Sequence, residues 1–216
     1  MKPTQETDRV KQIVLASSNP GKLREFAQMF APLGIELIAQ SALGIADADE
    51  PHGTFVENAL AKARHASRQA RLPAMADDSG ICVRALGGEP GVHSARFAAD
   101  GVAAAAAAGR DSQDALNNRK LLALLRDQPD RAAHYYAAIV LVRHGDDPEP
   151  LIADGLWNGE IIDAPRGTNG FGYDPHFFLR DVGKTAAELD PEQKNVLSHR
   201  GKALRRLLAR LKEEAP

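Results

Sequence analysis

Ile13-Val14-Leu15-Ala16-Ser17-Ser18-Asn19-Pro20-Gly21-Lys22 decides the reading of the fold. Its first four residues form an apolar run of strand length, and the next six are a polar turn. Leu23, Phe26, Ala27 and Phe30 then recur at helical spacing, and residues 35–39 resume as a second strand. A strand, a loop, a helix and a strand in that order predict an α/β class.

Working outward, residues 47–53 form an acidic loop. Thr54 is placed to cap the next helix with Glu57 as its capping-box partner, and Phe55, Ala59, Leu60, Ala63 and Ala66 supply that helix's buried stripe. Residues 72–76 lead into Asp77-Asp78-Ser79-Gly80, and residues 81–86 resume as a strand, which puts the carboxylate pair at a strand end. Leu116, Leu121, Leu122 and Leu125 predict a helix that stops near Pro129. Residues 135–143 and 151–157 read as paired strands, and Asn158-Gly159 reads as the turn of a further hairpin leading to Ile161 and Ile162. The last helix has a stripe of Leu204, Leu207, Leu208 and Leu211 against a solvated face of Arg205, Arg206, Arg210 and Lys212. Without an internal repeat or a long linker, residues 1–216 are expected to form one domain with a polar extension at 1–12.

Composition narrows the function. The chain has 216 residues, 44% of them hydrophobic, and a net charge of −2. That balance argues against a nucleic-acid binder, which usually carries a strong basic excess. Cys82 is the only cysteine, so no intramolecular disulfide can form and a reducing compartment is expected. No apolar run approaches the length of a membrane span, and the first residues lack a signal-peptide core. A cytoplasmic protein is the expectation. The six alanines at 103–108 are assigned no function.

Four motifs can carry chemistry. The polar turn Ser17, Ser18, Asn19, Pro20, Gly21, Lys22 lies between strand and helix, where backbone N–H groups and a lysine can meet an anion. It is not a Walker A loop, because Ala16 and Leu23 stand where that motif needs glycine and a hydroxyl residue. The pair Asp77-Asp78 can hold a divalent ion or orient water, with one carboxylate on each face of a strand. Mg²⁺ takes one or two protein carboxylates and leaves its other positions to water and phosphate, and Glu50 in the acidic loop is a candidate second ligand. Residues 168–175 combine a glycine turn, two rings (Phe171 and Tyr173) and the carboxylate of Asp174, a mixture suited to a nucleotide base. Lys194 and the start of the last helix, Ser198-His199-Arg200-Gly201, add cations where a helix dipole favours an anion. The histidines show no zinc-ligand spacing.

In this order, residues 17–22, 54–59, 76–80, 170–175 and 198–201 closely resemble the inosine/xanthosine triphosphate pyrophosphatases, which remove non-standard purine nucleotides. The resemblance spans roughly residues 13–211. It implies two lobes around a long central mixed β-sheet with flanking helices, an active-site cleft, Mg²⁺ as cofactor and a homodimer. It puts the metal on Glu50 and Asp78 and the proton-acceptor role on Asp78. Residues 17–22 match the triphosphate-side loop and Ser79 a further substrate contact. Phe171, Gly172, Tyr173, Asp174, Lys194, His199 and Arg200 match the nucleotide-binding set, with either ring able to stack on the base. The implied reaction gives a nucleoside monophosphate and pyrophosphate from ITP, dITP or XTP. Two rivals are a related pyrophosphatase acting on pyrimidine triphosphates and a non-catalytic nucleotide or RNA binder. Asp77 and Asp78 oppose the second, because they repel a polyanion.

Overall fold

The computed structural model describes residues 12–31, 34–99 and 110–213. The 1–12 extension, apart from Gln12, and the alanine run at 103–108 lie outside them. The elements are β1 (Gln12–Leu15), α1 (Pro20–Phe30), β2 (Glu36–Ala39), α2 (Phe55–Ala70), β3 (Ala74–Val83) and α3 (Arg110–Leu124), followed by β4 (Ala132–Val142), β5 (Leu151–Ile161), β6 (Phe177–Leu179), β7 (Lys184–Thr185), α4 (Pro191–Leu197) and α5 (His199–Glu213). The strands make a seven-stranded sheet in the order β2-β1-β3-β4-β5-β6-β7. It is mixed: β1 runs parallel to β2 and β3, whereas β6 is antiparallel to β5 and β7. The α/β expectation from the opening βαβ holds.

The chain divides into two compact units. The first comprises Met1–His52, Val56–Asp77 and Ile139–Ile152. Its core joins Val14 and Ala16 to Ala59, Ala63 and Ala66 of α2, with Ala74, Ala76, Val140 and Val142. The alanine stripe of α2 gives its backbone a close approach to the strands, and the buried methyls fill the space between them. The second unit comprises Gly53–Phe55, Asp78–Ala138 and Ala153–Pro216. Its core is built on Tyr135, Trp157 and Phe177, whose ring centroids lie 4.7 to 6.3 Å apart. Ile81, Val83, Leu121, Leu125 and Leu189 pack around them. In α5, Leu204 and Leu207 are buried and Arg205, Arg206 and Arg210 are exposed, as the leucine spacing predicts. No helix among the described residues is long and apolar enough to cross a membrane.

Two turn readings are corrected. Asp77-Asp78-Ser79-Gly80 does not end a strand; it lies inside β3, which runs unbroken through it. Gly80 serves close packing rather than a turn: a Cβ there would collide with the Gly91 carbonyl and Ser94 Oγ, and Ser94 Oγ accepts the Ile81 N–H at 2.9 Å. Asn158-Gly159 likewise lies within β5, not between two strands. A Cβ on Gly159 would sit 2.6 Å from Phe177 Cζ and 2.7 Å from the Phe178 carbonyl oxygen. The glycine is required by tertiary packing, and its resemblance to a hairpin turn is incidental. Gly201 in α5 likewise serves a close approach, since a Cβ there would collide with the Asn195 carbonyl.

Gly159→Ala should therefore cost about 1–3 kcal/mol, the usual range for overpacking, because the Phe178 carbonyl is backbone and cannot swing away. Urea denaturation checks this, and a midpoint equal to the wild type's contradicts the packing role.

Candidate active site

In the first unit, the polar loop after β1 is organised by Asn19. Its side-chain oxygen accepts the N–H groups of Gly21 and Lys22 at 2.9 and 3.4 Å, which caps α1, and Pro20 opens that helix with its φ already suitable. The Ser17 amide donates to the Leu15 carbonyl and the Asn19 amide to Ser17 Oγ. The expectation of an amide cradle is corrected here, since four of the loop's amides already donate locally. Its capacity for an anion rests on side chains. Lys22 Nζ lies 3.1 Å from Asp77, whose side chain is fully buried. Ser18 Oγ donates to Asp47 at 2.7 Å, and Gln40 donates to the same carboxylate. Glu50 accepts from Lys62 Nζ at 2.7 Å.

Sequence reasoning passed over Lys62 and took Asp47 only as a member of the acidic loop beside Glu50. A signal for Lys62 was available: it falls in register with the alanines of α2, so a lysine there sits on the buried face, where a charge needs a partner.

In the second unit, Asp78 is buried in β3 at 6% exposure. It follows Asp77 in one strand, so the two side chains point to opposite faces. Next to it, Ser79 Oγ accepts from Arg200 Nη2 at 3.0 Å. Ser198 ends α4 and accepts the Gly201 N–H at 3.1 Å, which caps α5 and places His199 and Arg200 in its first turn. The His199 ring stacks on Tyr135 with a 4.8 Å centroid separation and an 8° interplanar angle. Phe171 is half-buried, with Lys194 Nζ 5.2 Å and the Arg200 guanidinium 5.3 Å from its ring centre. Both cations are within cation–π range of the ring.

The two rings of the 168–175 stretch have separate fates. Tyr173 is 4% exposed, belongs to the core and donates its hydroxyl to the Ser94 carbonyl at 2.8 Å. Burial holds that hydroxyl well above the usual tyrosine range, with a further push from Asp114. Of the two stacking candidates, only Phe171 presents a ring face outside the core.

Asp174, matched above to the nucleotide-binding set, turns to partners inside the protein. It is 4% exposed, and its carboxylate accepts Lys194 Nζ at 2.6 Å, the Phe171 N–H at 2.9 Å and the Tyr135 hydroxyl at 3.3 Å. Burial, and then the charge of Asp174, keep Tyr135 protonated and therefore a donor. Gly170, at φ +80°, leaves room for this carboxylate, because a Cβ would run into Asp174 Oδ2. The Gly172 backbone is bonded on both sides to α3: its N–H donates to Asp114 at 2.7 Å and its carbonyl accepts from Asn118 Nδ2 at 2.9 Å. Nothing in the α3 sequence marks these two residues beyond their spacing of four along one helix face.

The described residues thus set a carboxylate pair in β3 and a cation-flanked aromatic turn on an α/β fold. The Ham1 family profile matches residues 13–210. A protein from Burkholderia pseudomallei named dITP/XTP pyrophosphatase is 62% identical over 202 residues, covering 94% of this chain and 94% of its own length. One of the same name from Ralstonia nicotianae is 59% identical over 203 residues, with 94% and 98% covered. Among solved structures, a HAM1 protein from Coxiella burnetii superposes with a TM-score of 0.83 at 46% identity, covering 94% of this chain and 98% of that one. A nucleoside-triphosphatase / dITP/XTP pyrophosphatase from Mycobacterium abscessus superposes with a TM-score of 0.68 at 40% identity, with 91% and 98% covered. The chain belongs to the Ham1 family.

Because Asp174 works inward, Asp174→Asn should destabilise the protein by about 2 kcal/mol, the scale of a hydrogen bond to a charged group. Chemical denaturation measures this. An unchanged midpoint contradicts the internal role of the carboxylate.

Proposed function

We propose that this protein hydrolyses non-standard purine nucleoside triphosphates, ITP, dITP and XTP, to the monophosphate and pyrophosphate, and so clears them from the nucleotide pool. The observation that carries this reading is the 62% identity, over 94% of both chains, to a dITP/XTP pyrophosphatase. The side chains described above supply a chemistry consistent with it.

In the reaction, water attacks the α phosphorus, and the bond from that phosphorus to the bridging α–β oxygen breaks. The bond's electron pair leaves with pyrophosphate. Asp78 accepts the proton of the attacking water, a role for which a positioned carboxylate is suited. Lys22, at the start of α1, places a point charge beside the phosphates, and the Ser17 and Ser18 hydroxyls are further donors on that loop. Ser79 contacts the substrate beside Asp78. In this reading Phe171 carries the base on its ring face, and Lys194, His199 and Arg200 read its polar atoms. A 6-oxo group accepts from such donors. A 6-amino group leaves them unpaired, a mismatch that can cost a factor of about 10⁴ or more.

Glu50 and Asp78 would hold Mg²⁺ through their carboxylate oxygens. Among the described residues, no three His, Cys, Asp or Glu side chains form a ready-made metal cage, and Mg²⁺ suits such a site because it draws most of its ligands from water and phosphate. When bound, the ion neutralises phosphate charge that would otherwise repel the nucleophile. A cytoplasmic homodimer completes the proposal, and light scattering of the purified protein tests the dimer.

Initial rates of pyrophosphate release on dITP, XTP, dTTP and UTP test the substrate class. Preference for dITP and XTP is expected, and a preference for pyrimidines overturns the reading. Release should cease in excess chelator and return with Mg²⁺; undiminished release in chelator rules out the metal. Asp78→Asn should lower kcat at least about 100-fold, the low end of general-base contributions, with an unchanged circular dichroism spectrum. Near-normal kcat removes Asp78 from the proton-acceptor role.

A further inference from the structure

We infer that Asp114 and Asn118 of α3 form a clamp that positions the base platform, and so act as positioning residues for substrate binding. The inference rests on the purine-triphosphate reading above. Asp114 Oδ2 accepts the Gly172 N–H at 2.7 Å, and Asn118 Nδ2 donates to the Gly172 carbonyl at 2.9 Å. Residues four apart on a helix share one face, so the two side chains grip both polar groups of one residue. Gly172 has a φ of +65°, a backbone region that side-chain-bearing residues rarely adopt. A glycine there leaves the chain conformationally free, and something must hold it in place.

The preceding residue is Phe171, whose own N–H is held by Asp174 Oδ2 at 2.9 Å. The Phe171 ring is thus carried by a backbone fixed at its own amide and at both groups of the next residue. Tyr173 follows, tied into the core and to Ser94. The same helix anchors the Ser94 region: Asn117 Nδ2 donates to the Ser94 and Ala95 carbonyls at 3.3 and 3.1 Å, and its Oδ1 accepts the Ala98 N–H at 2.8 Å. α3 therefore grips the platform turn at Gly172 and the segment that receives Tyr173. Without the Gly172 contacts, the turn keeps its anchors at Asp174 and Tyr173 but loses the restraint nearest the ring.

The consequence is specific. A platform that must be ordered by the ligand binds it more weakly, because the ordering cost falls on binding. Stacking accepts any base by its π-face, so loosening the ring weakens dITP and XTP binding by the same factor. The phosphate-side groups are untouched, so kcat is retained.

The test compares wild type, Asp114→Leu, Asp114→Asn and Asn118→Ala, with kcat and KM on dITP and XTP and hydrogen exchange of the 171–174 amides. Asp114→Leu should raise KM about tenfold, the equivalent of roughly 1.4 kcal/mol, equally for both substrates and with kcat within about twofold. The 171–174 amides should lose protection while those of β4 and β5 keep theirs. In Asp114→Asn the amide oxygen can still accept from Gly172, so KM should return most of the way to wild type. Asn118→Ala should give a smaller rise in KM. An unchanged KM in Asp114→Leu, in an enzyme whose wild type turns over dITP and XTP, overturns the clamp and leaves the proposed function standing. A fall in kcat with KM constant also overturns it, since that is the mark of a reduced folded fraction. A wild type that turns over neither substrate overturns the function itself, and with it the clamp's part in binding.

Discussion

The 168–175 turn depends on a carboxylate that has nowhere to go but inward. Asp174 is almost completely buried, and a buried charge is tolerated only when paired and hydrogen-bonded. Its oxygens meet an ammonium, a backbone amide and a phenol, contributed by Lys194, Phe171 and Tyr135. Each partner belongs to a different piece of the second unit: Lys194 to α4, Tyr135 to β4 and Phe171 to the glycine turn. One charge thereby ties three segments that are far apart in sequence. Tyr135 extends the tie by stacking under His199 at the start of α5. Removing the charge loosens the turn and its neighbours together.

In the first unit a different economy operates. The loop after β1 spends its amides on its own geometry, with Asn19 capping α1, and leaves charge to side chains. Lys22 against Asp77, and Lys62 against Glu50, are cation–carboxylate pairs of this unit, and the loop's Ser18 hydroxyl donates to Asp47. On the proposed function, an incoming polyphosphate competes for those lysines. The balance between pairing and release is set by burial: the Asp77 side chain is fully buried, and Glu50 is partly exposed.

Much of this was legible in the chain. The β1 run, its polar loop and the helix after it declared an α/β protein because period and punctuation agreed. The last helix was equally clear, since its leucines and arginines separate onto opposite faces. The failures share a cause. Gly80 and Gly159 looked like turn residues, yet each is needed where another backbone passes close by, a fact of tertiary packing that no local pattern carries. Tyr173 and Asp174 looked like ligand contacts because they stand beside Phe171 in the motif. The turn in fact sends both of these side chains inward, and only the fold reveals it. Asp114 and Asn118 sit far from any motif and become relevant only when α3 is brought against Gly172.

The division of labour within the 168–175 turn is open to direct observation. A crystal structure of the protein with inosine monophosphate bound should have the hypoxanthine ring on the face of Phe171. Asp174 should still be bonded to Lys194, and the Tyr173 hydroxyl should remain on the Ser94 carbonyl. A base stacked on Tyr173, or hydrogen-bonded directly by the Asp174 carboxylate, would contradict the assignment of Phe171 as the platform and Asp174 as its internal anchor.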